Sequence, residues 1–537
     1  MDNRKDAALY APLVQHDGQS SNDTLDADTE MNEYMRPNRA NGYRDDDSRN
    51  GQPDVSSAKK FSQRRLIISL APFTVIMALG FIILAALLGV WVTRTKPSDK
   101  VVPHTPLEQI ALRNNSVGRL PFMGYNTWNS YACDIDETKI LRTARLMKSL
   151  GLLDIGYDHM NLDDCYSEKK RSPSGDIVAN KERFPSGMNS LTDQIHALGL
   201  CYSDSGWFTC QKYPGSYMNE DRDITLFQDW GFDLLKLPFD EIIKEGMVGK
   251  FTRMSEAIVR LSKSSGKPPF LFSLCQWGRN QPWIWARKLG QSWRTTMDIC
   301  MFIYQTASNR CSYVDDDPVD PEWKSLASIL NENSFYATAT DFYGRNDMDI
   351  LEVGNGDLTF EEQKSHFTAW ALMKSPLLIS TELSTVTEQT LSILKNTEII
   401  AINQDPVIGT SITPFRWGIN PDWTFNASHP AQYWSGDSQN GTVFMLLNTL
   451  DHPADLTFRL TESPWIRAGR QYSVRDLWTH TQNGTAVRNF TAYNVPAHGV
   501  VALLLKDNGD EPAGTLPECA MLDWCTDQNG TRVDGKD

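Results

Sequence analysis

The sequence predicts an α/β protein: a (β/α)8 TIM barrel followed by a C-terminal antiparallel β-sandwich and preceded by a single transmembrane helix. Between 118 and 405, short apolar runs alternate with helical segments, which indicates a parallel sheet, and that length suits an eight-stranded barrel. Between 406 and 508, short β-type runs separated by turns are typical of a sandwich. The run 66–92 carries no charge and exceeds the roughly 20 residues needed to cross a bilayer.

Three segments precede the predicted barrel. Residues 1–65 are polar, and we expect a disordered cytosolic tail. The run 66–92 starts too far along the chain for a signal peptide, and we interpret it as a signal anchor. A buried core helix is the alternative, but the absence of charge over such a length favours the membrane. Residues 93–117 contain Pro97, Pro103 and Pro106 and are predicted to form a stem.

The residues on either side of the run predict its orientation. Four basic residues lie just before it and three just after it, so the positive-inside bias places the N-terminus in the cytosol. All nine cysteines and six Asn-X-Ser/Thr sequons follow the run, as expected for an oxidising lumen or the cell exterior. We therefore predict a single-pass type II membrane protein whose large domain is lumenal or extracellular. The sequons begin at Asn114, Asn426, Asn440, Asn483, Asn489 and Asn529.

Strand-like and helical runs alternate along the predicted barrel. The helix 137–149 illustrates the pattern, because Asp136 is a suitable N-cap and Gly151 follows its end. The predicted strands are 123–128, 159–163, 198–203, 234–238, 270–275, 293–296 and 376–380. The predicted helices are 137–149, 188–198, 252–262, 322–330 and 360–374.

The predicted sandwich consists of short strands with turn residues between them. Asn440-Gly441 and Asn483-Gly484 are predicted turns. Residues 509–537 form a polar tail that carries two cysteines. The predicted strands are 443–447, 455–460, 472–477 and 499–505.

Composition excludes some classes of function. The chain of 537 residues has a net charge of −15, which argues against nucleic acid as a partner, because its phosphates attract basic surfaces. No His/Cys cluster has metal-ligand spacing, so we predict neither a metal nor another cofactor. The acidic balance together with 16 Trp residues is common in carbohydrate-active proteins.

Polar and aromatic residues follow one predicted barrel strand after another. The C-terminal ends of barrel strands meet at a common mouth, so these side chains are expected to lie close together. Charged groups form charge-assisted hydrogen bonds to hydroxyls and an indole packs on a sugar ring, so the set predicts a sugar site. One acidic residue at the end of a strand could cap a loop as readily as it could serve a functional site. Here, however, six strand ends carry polar or aromatic residues. The residues are Trp128, Asp163, Asp164, Lys236, Cys275, Trp277, Arg294, Asp298, Asp347 and Asp349.

Several motifs resemble those of α-galactosidases, the melibiase family of retaining glycoside hydrolases. The resemblance covers about Leu120 to Leu505, and it implies cleavage of terminal α-linked galactose from oligosaccharides or glycoconjugates. The motifs read MGYNTWN at 123–129, NLDDC at 161–165, SLCQWG at 273–278, SWRTTMDI at 292–299 and NDMDILEVGNG at 346–356.

The resemblance implies a role for each predicted site residue. Trp128, Asp163 and Asp164 would bind the galactose ring and its O4 and O6 hydroxyls. Lys236 would hold O3 or O4, and Arg294 would hold O2.

The remaining predicted site residues have implied roles in catalysis, in substrate specificity and in substrate binding. The resemblance implies that Asp298 is the general acid/base. Cys275 and Trp277 match the family's bulky pocket beside O2, which favours galactose over N-acetylgalactosamine. Asp349 is a further predicted substrate-binding residue.

The resemblance also bears on the cysteines. It implies a disulfide between Cys133 and Cys165. Cys210 matches half of a second family disulfide, but Asp240 occupies the position of its partner. We therefore expect Cys210 to be free or paired elsewhere.

The segment 233–240 lacks a carboxylate that the resemblance implies. Where the family has its nucleophile, this chain has Pro238, which offers neither a carboxylate nor an N–H. A retaining glycosidase needs two carboxyl groups about 5–5.5 Å apart. In one hypothesis Asp240, two residues further along the same strand face, serves with Asp298, and a separation of about 6.5–9.5 Å would favour inversion.

Other hypotheses remain open. The site could bind a galactoside without cleaving it, or the sequence could be locally in error. A scaffold that uses the sandwich alone belongs to a different class of function, and it would bind no sugar at all.

Overall fold

The computed structural model describes residues 117–205, 211–237, 246–299, 321–426 and 428–513, and three single residues near the C-terminus. The predicted tail, the run 66–92 and all but the last residue of the predicted stem lie outside these residues, as do Pro238 and Asp240. Within the described ranges, no helix is both long enough and apolar enough to cross a membrane.

Eight parallel strands form the barrel: β1 (Met123–Asn126), β2 (His159–Leu162), β3 (Cys201–Ser205), β4 (Leu234–Leu237), β5 (Leu271–Leu274), β6 (Ser292–Arg294), β7 (Arg345–Asp347) and β8 (Leu377–Ile379). Their order is β7-β6-β5-β4-β3-β2-β1-β8. A parallel bridge between Leu351, which follows β7, and Ile379 of β8 links the two ends of the sheet. The predicted TIM barrel is confirmed.

Helices alternate with these strands. The helix Glu137–Ser149 has the predicted bounds: Asp136 caps its first turn, and Ile140, Ala144 and Met147 are buried on one face. The described helices are Trp128–Tyr131, Glu137–Ser149, Met188–Ala197, Glu220–Trp230, Gly246–Ser265, Pro282–Trp285, Pro321–Ser334, Phe360–Leu372, Glu388–Leu394 and Thr397–Asn403.

β1 and β2 approach each other closely at Gly124. A Cβ atom at this position would lie 2.1 Å from the carbonyl oxygen of His159, so any larger residue would push the two strands apart. Glycine is therefore required where β1 carries Asn126 towards the mouth of the barrel.

Eight antiparallel strands form the C-terminal sandwich: β9 (Thr413–Arg416), β10 (Tyr433–Ser438), β11 (Gly441–Leu447), β12 (Ala454–Arg459), β13 (Arg470–Asp476), β14 (Thr481–Val487), β15 (Asn489–Val495) and β16 (Val500–Asp510). Their order is β12-β15-β14-β13-β16-β11-β10-β9. Phe415, Phe444 and Phe458 pack together in the sandwich core. The sandwich contacts the barrel through Arg475, whose Nε donates to Glu398 Oε2 at 2.7 Å.

Several predicted elements differ from the structure. The predicted strands do not include β7, because its three residues, Arg345 to Asp347, are polar and form no apolar run. The first strand ends at Asn126, and Trp128 begins a one-turn helix. The predicted helices lack Glu220–Trp230. The pair Asn483-Gly484 lies inside β14, where Gly484 has a φ of 83°, so the predicted turn is wrong.

The implied disulfide between Cys133 and Cys165 is present, with its Cα atoms 5.3 Å apart. It joins the loop after the helix Trp128–Tyr131 to the loop after β2. Among the described cysteines, Cys201 and Cys275 are free. The cysteines outside the described residues are Cys210, Cys300, Cys311, Cys519 and Cys525.

Candidate active site

A cavity lies within the barrel and reaches the C-terminal ends of its strands. Four predicted substrate-binding residues line it: Asp163, Lys236, Arg294 and Asp349. Lys236 and Arg294 lie on β4 and β6, and Asp163 and Asp349 lie just after β2 and β7, so the fold gathers polar groups that are far apart in the sequence. Its other lining residues are Phe122, Asn126, Asn161, Leu162, Leu234, Ser273, Asp347, Ile350 and Leu378.

Asp163 connects three strands on one side of this cavity. Its Oδ2 accepts a hydrogen bond from Asn126 Nδ2 at 2.8 Å and lies 3.3 Å from Lys236 Nζ. Burial opposes ionisation of Asp163, but Lys236 and Asn126 lower its pKa. Burial likewise opposes the charge on Lys236, and Asp163 raises the pKa of this lysine above its ordinary value. A carboxylate and an ammonium group thus lie side by side, one an acceptor and the other a donor for hydroxyls.

Arg294 lies between two carboxylates. Its Nη2 is 2.8 Å from Oδ1 of Asp298 and 2.7 Å from Oδ2 of Asp349. Burial disfavours the charged guanidinium, but these carboxylates raise the pKa of Arg294 and keep it a cation. The Arg294 side chain is 2% exposed and that of Asp298 is 29% exposed, so the reachable carboxyl of this cluster belongs to Asp298.

Asp349 is buried in an uncommon backbone conformation, with a φ of 83°. This left-handed region is costly for a residue other than glycine and persists only where surrounding contacts enforce it. Here Oδ2 also accepts the N–H of Ile299 at 2.7 Å, and Oδ1 accepts the N–H of Ile350 at 2.9 Å. Burial, with the Asp298 carboxyl nearby, raises the pKa of Asp349 to about 6 despite the attraction of Arg294.

Trp128 begins the one-turn helix that precedes Cys133, and Asp164 directly precedes Cys165, so the disulfide joins the segments that carry them. Trp128 is half-buried, and its backbone N–H donates to Asn126 Oδ1 at 2.8 Å. Asp164 is buried, and its carboxylate accepts the backbone N–H groups of Cys165 at 2.6 Å and of Gln211 at 3.0 Å. Neither side chain is among those that line the cavity. These contacts fix the loops that follow β1 and β2.

The segment after β5 carries Cys275 and Trp277. Cys275 is buried, and burial raises the pKa of its thiol to about 11, so it is neutral at pH 7. Trp277 has a φ of 54°, and a Cβ at the next residue, Gly278, would lie 2.1 Å from the carbonyl oxygen of Thr295. The Gly278 N–H donates to the carbonyl of Arg294 at 3.2 Å, so this tight turn packs directly on the segment that holds Arg294.

Two residues that the sequence did not single out support the site. Asn126 holds Asp163 with its amide nitrogen and the Trp128 backbone with its amide oxygen. The sequence contains one indication of this role, the position of Asn126 within the motif at 123–129. That indication is weak, because Asn is also common in ordinary turns. Glu352 is buried and accepts a hydrogen bond from the side chain of Asn129, the neighbour of Trp128. No sequence pattern indicates that contact.

The predicted second catalytic residue lies outside the described residues. This residue is Asp240, and Pro238 is likewise outside the described ranges, so the role of Asp240 stays a prediction. In the part of the chain that the structure describes, no group of three or more His, Cys, Asp or Glu side chains could hold a metal ion.

The chain is similar to known families over both domains. Residues 120–405 match the model of the family described as alpha galactosidase A. Residues 428–505 match the alpha galactosidase C-terminal beta sandwich domain. A Penicillium simplicissimum protein named "Probable alpha-galactosidase B" is 34% identical over 446 residues, which is 75% of this chain and 97% of the relative.

Solved structures show the same similarity. Alpha-galactosidase I from Mortierella vinacea superimposes with a TM-score of 0.64 at 31% identity, over 74% of this chain and 100% of that one. An alpha-galactosidase from Saccharomyces cerevisiae, solved with raffinose, has a TM-score of 0.62 at 26% identity, over 73% of this chain and 99% of that one.

Proposed function

The chain belongs to the α-galactosidase family of glycoside hydrolases, and we propose that it cleaves terminal α-linked galactose from oligosaccharides or glycoconjugates. The observation that carries this proposal is the pair of ion-paired clusters that line one cavity, Lys236 with Asp163 and Arg294 with Asp349, together with Asp298, which is paired with the same Arg294. A galactoside presents several hydroxyls in fixed directions, and these clusters supply both donors and acceptors for them.

In the proposed reaction, Asp298 protonates the leaving oxygen, and in a retaining mechanism it later takes a proton from the attacking water. Arg294 fixes the orientation of this carboxyl, and Asp349 in turn fixes Arg294. Asp298 is the most exposed of the three side chains, which suits the residue that meets the glycosidic oxygen.

Asp349 is the other carboxyl of this cluster, but it is a poor candidate for the nucleophile. Its oxygens accept hydrogen bonds from Arg294 and from the N–H groups of Ile299 and Ile350. An attack on the anomeric carbon would break these contacts and leave the buried Arg294 with one carboxylate. We assign Asp349 a positioning role.

Asp240 is therefore the proposed second carboxylate. It lies two residues beyond Pro238, and residues i and i+2 of a strand share a face. A separation of about 5–5.5 Å from Asp298 would give retention, and one of about 6.5–9.5 Å would give inversion. Proton NMR of the galactose anomer that is released first distinguishes the two outcomes.

The presence of Pro238 favours a second candidate function, a membrane protein that binds galactosides without hydrolysing them. Galactose binding measured by calorimetry, with no hydrolysis above buffer, would select this candidate. Absence of both binding and hydrolysis would instead favour a scaffold role.

The experiment compares four forms of the full chain on p-nitrophenyl α-galactoside. We expect hydrolysis by the wild type and a loss of about 100-fold or more in Asp298→Asn. An equal loss in Asp240→Asn identifies the second carboxylate, whereas unchanged activity in that variant rejects it. If the wild type is inactive, activity gained by Pro238→Asp shows that the site lacks only the nucleophile.

For the location, we propose a type II membrane protein anchored by residues 66–92. Three sequon asparagines, Asn440, Asn483 and Asn489, are exposed on the sandwich, as glycan acceptors must be. Asn426 suits a glycan less, because it is half-buried and its Nδ2 donates to Asn420 Oδ1 at 3.1 Å.

Treatment of the expressed protein with an N-glycosidase tests this location. A mobility shift, lost when Asn440, Asn483 and Asn489 are all changed to Gln, supports a lumenal or extracellular domain. The proposal would be contradicted if carbonate extracted the protein from membranes, or if all the sequons lacked glycans.

A further inference from the structure

A second cavity lies at the opposite end of the barrel, where the strands begin. Its lining residues include the cations Arg119, Arg345 and Lys374 and the carboxylates Asp341 and Asp405. Arg345 is the first residue of β7, whose last residue, Asp347, lines the candidate active site. The two cavities are therefore separate.

Arg345 is a buried cation for which the described residues supply no counter-charge. It is 1% exposed, and its Nη2 donates to the carbonyl oxygens of Gly118 at 2.7 Å and Arg119 at 2.9 Å. Its Nη1 has no hydrogen-bond partner, and no carboxylate of the described chain lies within ion-pair distance of it. A buried unpaired charge is among the most unfavourable groups in a protein interior.

Lys374 adds a second buried cation to this cavity. Its Nζ donates to the carbonyl oxygens of Ile402 and Ile408, the latter at 3.0 Å. Burial lowers the pKa of Lys374 to about 8; Asp405 works against this effect and Arg345 adds to it. Arg345 and Lys374 are thus close enough to repel each other.

Two carboxylates, Asp341 and Asp405, also line the cavity, and each accepts or pairs with groups other than Arg345. Asp405 accepts the backbone N–H groups of Val407 at 2.8 Å and Ile408 at 3.0 Å through one oxygen, and that of Gln439 through the other. Asp341 lies 3.4 Å from Arg287 in an ion pair of its own.

Arg119 is the remaining cation that lines the cavity. It donates to the carbonyl of Pro406 at 2.6 Å and stacks on the ring of Phe342. The cavity therefore has an excess of positive charge.

We propose that this cavity binds one small monovalent inorganic anion of the chloride class, in contact with Arg345 and Lys374. A water molecule would satisfy the Arg345 hydrogen bond but would leave the charge of Arg345 uncompensated, whereas Asp405 partly offsets that of Lys374. Arg345 cannot relieve the repulsion by losing its proton at neutral pH, and the described residues offer it no carboxylate, so an external anion supplies the missing negative charge. The inference does not depend on the proposed function.

An anion at this end of the barrel should stabilise the fold and leave turnover unchanged. The strand beginnings of such a barrel contribute stability, whereas the opposite face carries the chemistry. A ligand that binds only the folded state raises the unfolding temperature in a saturable manner.

The test is thermal unfolding of the full chain as sodium gluconate is replaced by sodium chloride at constant ionic strength. We expect the midpoint to rise by about 2 °C or more and then to saturate, with bromide acting in the same way. Equal midpoints in chloride and gluconate would show that the cavity holds water only and would overturn the proposal.

Variants of the cavity residues test whether chloride acts by binding in this cavity. Arg345→Met should lose the chloride-dependent rise, and Lys374→Met provides the same readout if the first variant fails to fold. Arg470→Gln is the matched control, because Arg470 pairs with Asp507 on the sandwich surface, far along the chain from the cavity. A full chloride effect in both Arg345→Met and Lys374→Met would place the anion elsewhere and reject the assigned site.

Discussion

Arg294 and Arg345 lie on neighbouring strands, at opposite ends of the barrel, and both are at most 2% exposed. Arg294 contacts two carboxylates, which raise its pKa against the effect of burial. Arg345 contacts only carbonyls, and burial, with a contribution from Arg287, lowers its pKa to about 9. The partners of a buried cation, more than its burial, therefore decide whether its environment stabilises the charge.

Glu352 extends the comparison to a buried group of the opposite sign. It has no cation partner among the described residues, and burial raises its pKa to about 8. Unlike an arginine, a carboxyl can become neutral by taking up a proton. A buried group without a counter-charge thus either becomes neutral, as Glu352 does at pH 7, or needs an external ion, as we propose for Arg345.

Removing the shared cation of the active site should have the largest effect. Arg294→Met leaves Asp298 and Asp349 facing each other, and we expect a loss of about 3–5 kcal/mol in the free energy of unfolding. Activity should fall by about 100-fold or more. Urea unfolding and kcat/KM on p-nitrophenyl α-galactoside measure the two effects. A variant with wild-type activity would refute the importance of this cluster.

Neutralising only the inner carboxylate should have a smaller effect. Asp349→Asn keeps the shape of the side chain and leaves Arg294 paired with Asp298, so we expect a loss of about 1–3 kcal/mol. Because Asp349 acts through Arg294, kcat should fall more than KM rises. If KM alone changes, Asp349 binds substrate directly and has no positioning role.

The raised pKa of Glu352 predicts a pH dependence of stability. Between its ordinary value of 4.5 and about 8, the folded state holds a proton that the unfolded state releases, so stability falls as pH rises. Buried His366, whose pKa is lowered from 6.5 to about 3, has the opposite effect below pH 6.5. Between pH 6.5 and 8 Lys374, whose pKa is lowered to about 8, also acts in the opposite direction, so the contribution of Glu352 is taken from the difference between the wild type and a Glu352 variant.

In that interval Glu352→Gln should remove a slope of up to about 1.4 kcal/mol per pH unit. Urea unfolding of the wild type and the variant at several pH values measures the slope. Parallel stability curves for the two proteins would mean that Glu352 is ionised in the folded state.

The smallest effect is expected at the opposite end of the barrel. Arg345→Met removes two hydrogen bonds to carbonyl oxygens, which costs stability, but it also removes an uncompensated buried charge, so we expect a change of no more than about 1 kcal/mol at low chloride. Activity should stay within about twofold of the wild type. A loss of activity as large as that of Arg294→Met would show that the two ends of the barrel are coupled.

The sequence predicted the barrel best where its elements repeat a simple pattern. The helix Glu137–Ser149 has a cap and a regular apolar face, so its bounds agree with the prediction. β7 has neither an apolar run nor a flanking signal, because its buried polar residues are satisfied by tertiary contacts such as that of Trp293 Nε1 with Asn346 Oδ1 at 2.8 Å. The role of Asn126 was likewise hidden, because its partner Asp163 lies on another strand.

The sequence by itself determined the order of the two domains and the set of polar strand ends, because apolar periodicity and residue type are local properties. It also determined the absence of a carboxylate at Pro238. Only the tertiary structure decided that Asp298 and Asp349 share Arg294, that Glu352 reaches Asn129, and that none of the described carboxylates pairs with the buried Arg345. These are contacts between distant segments, and closure of the sheet into a barrel creates them.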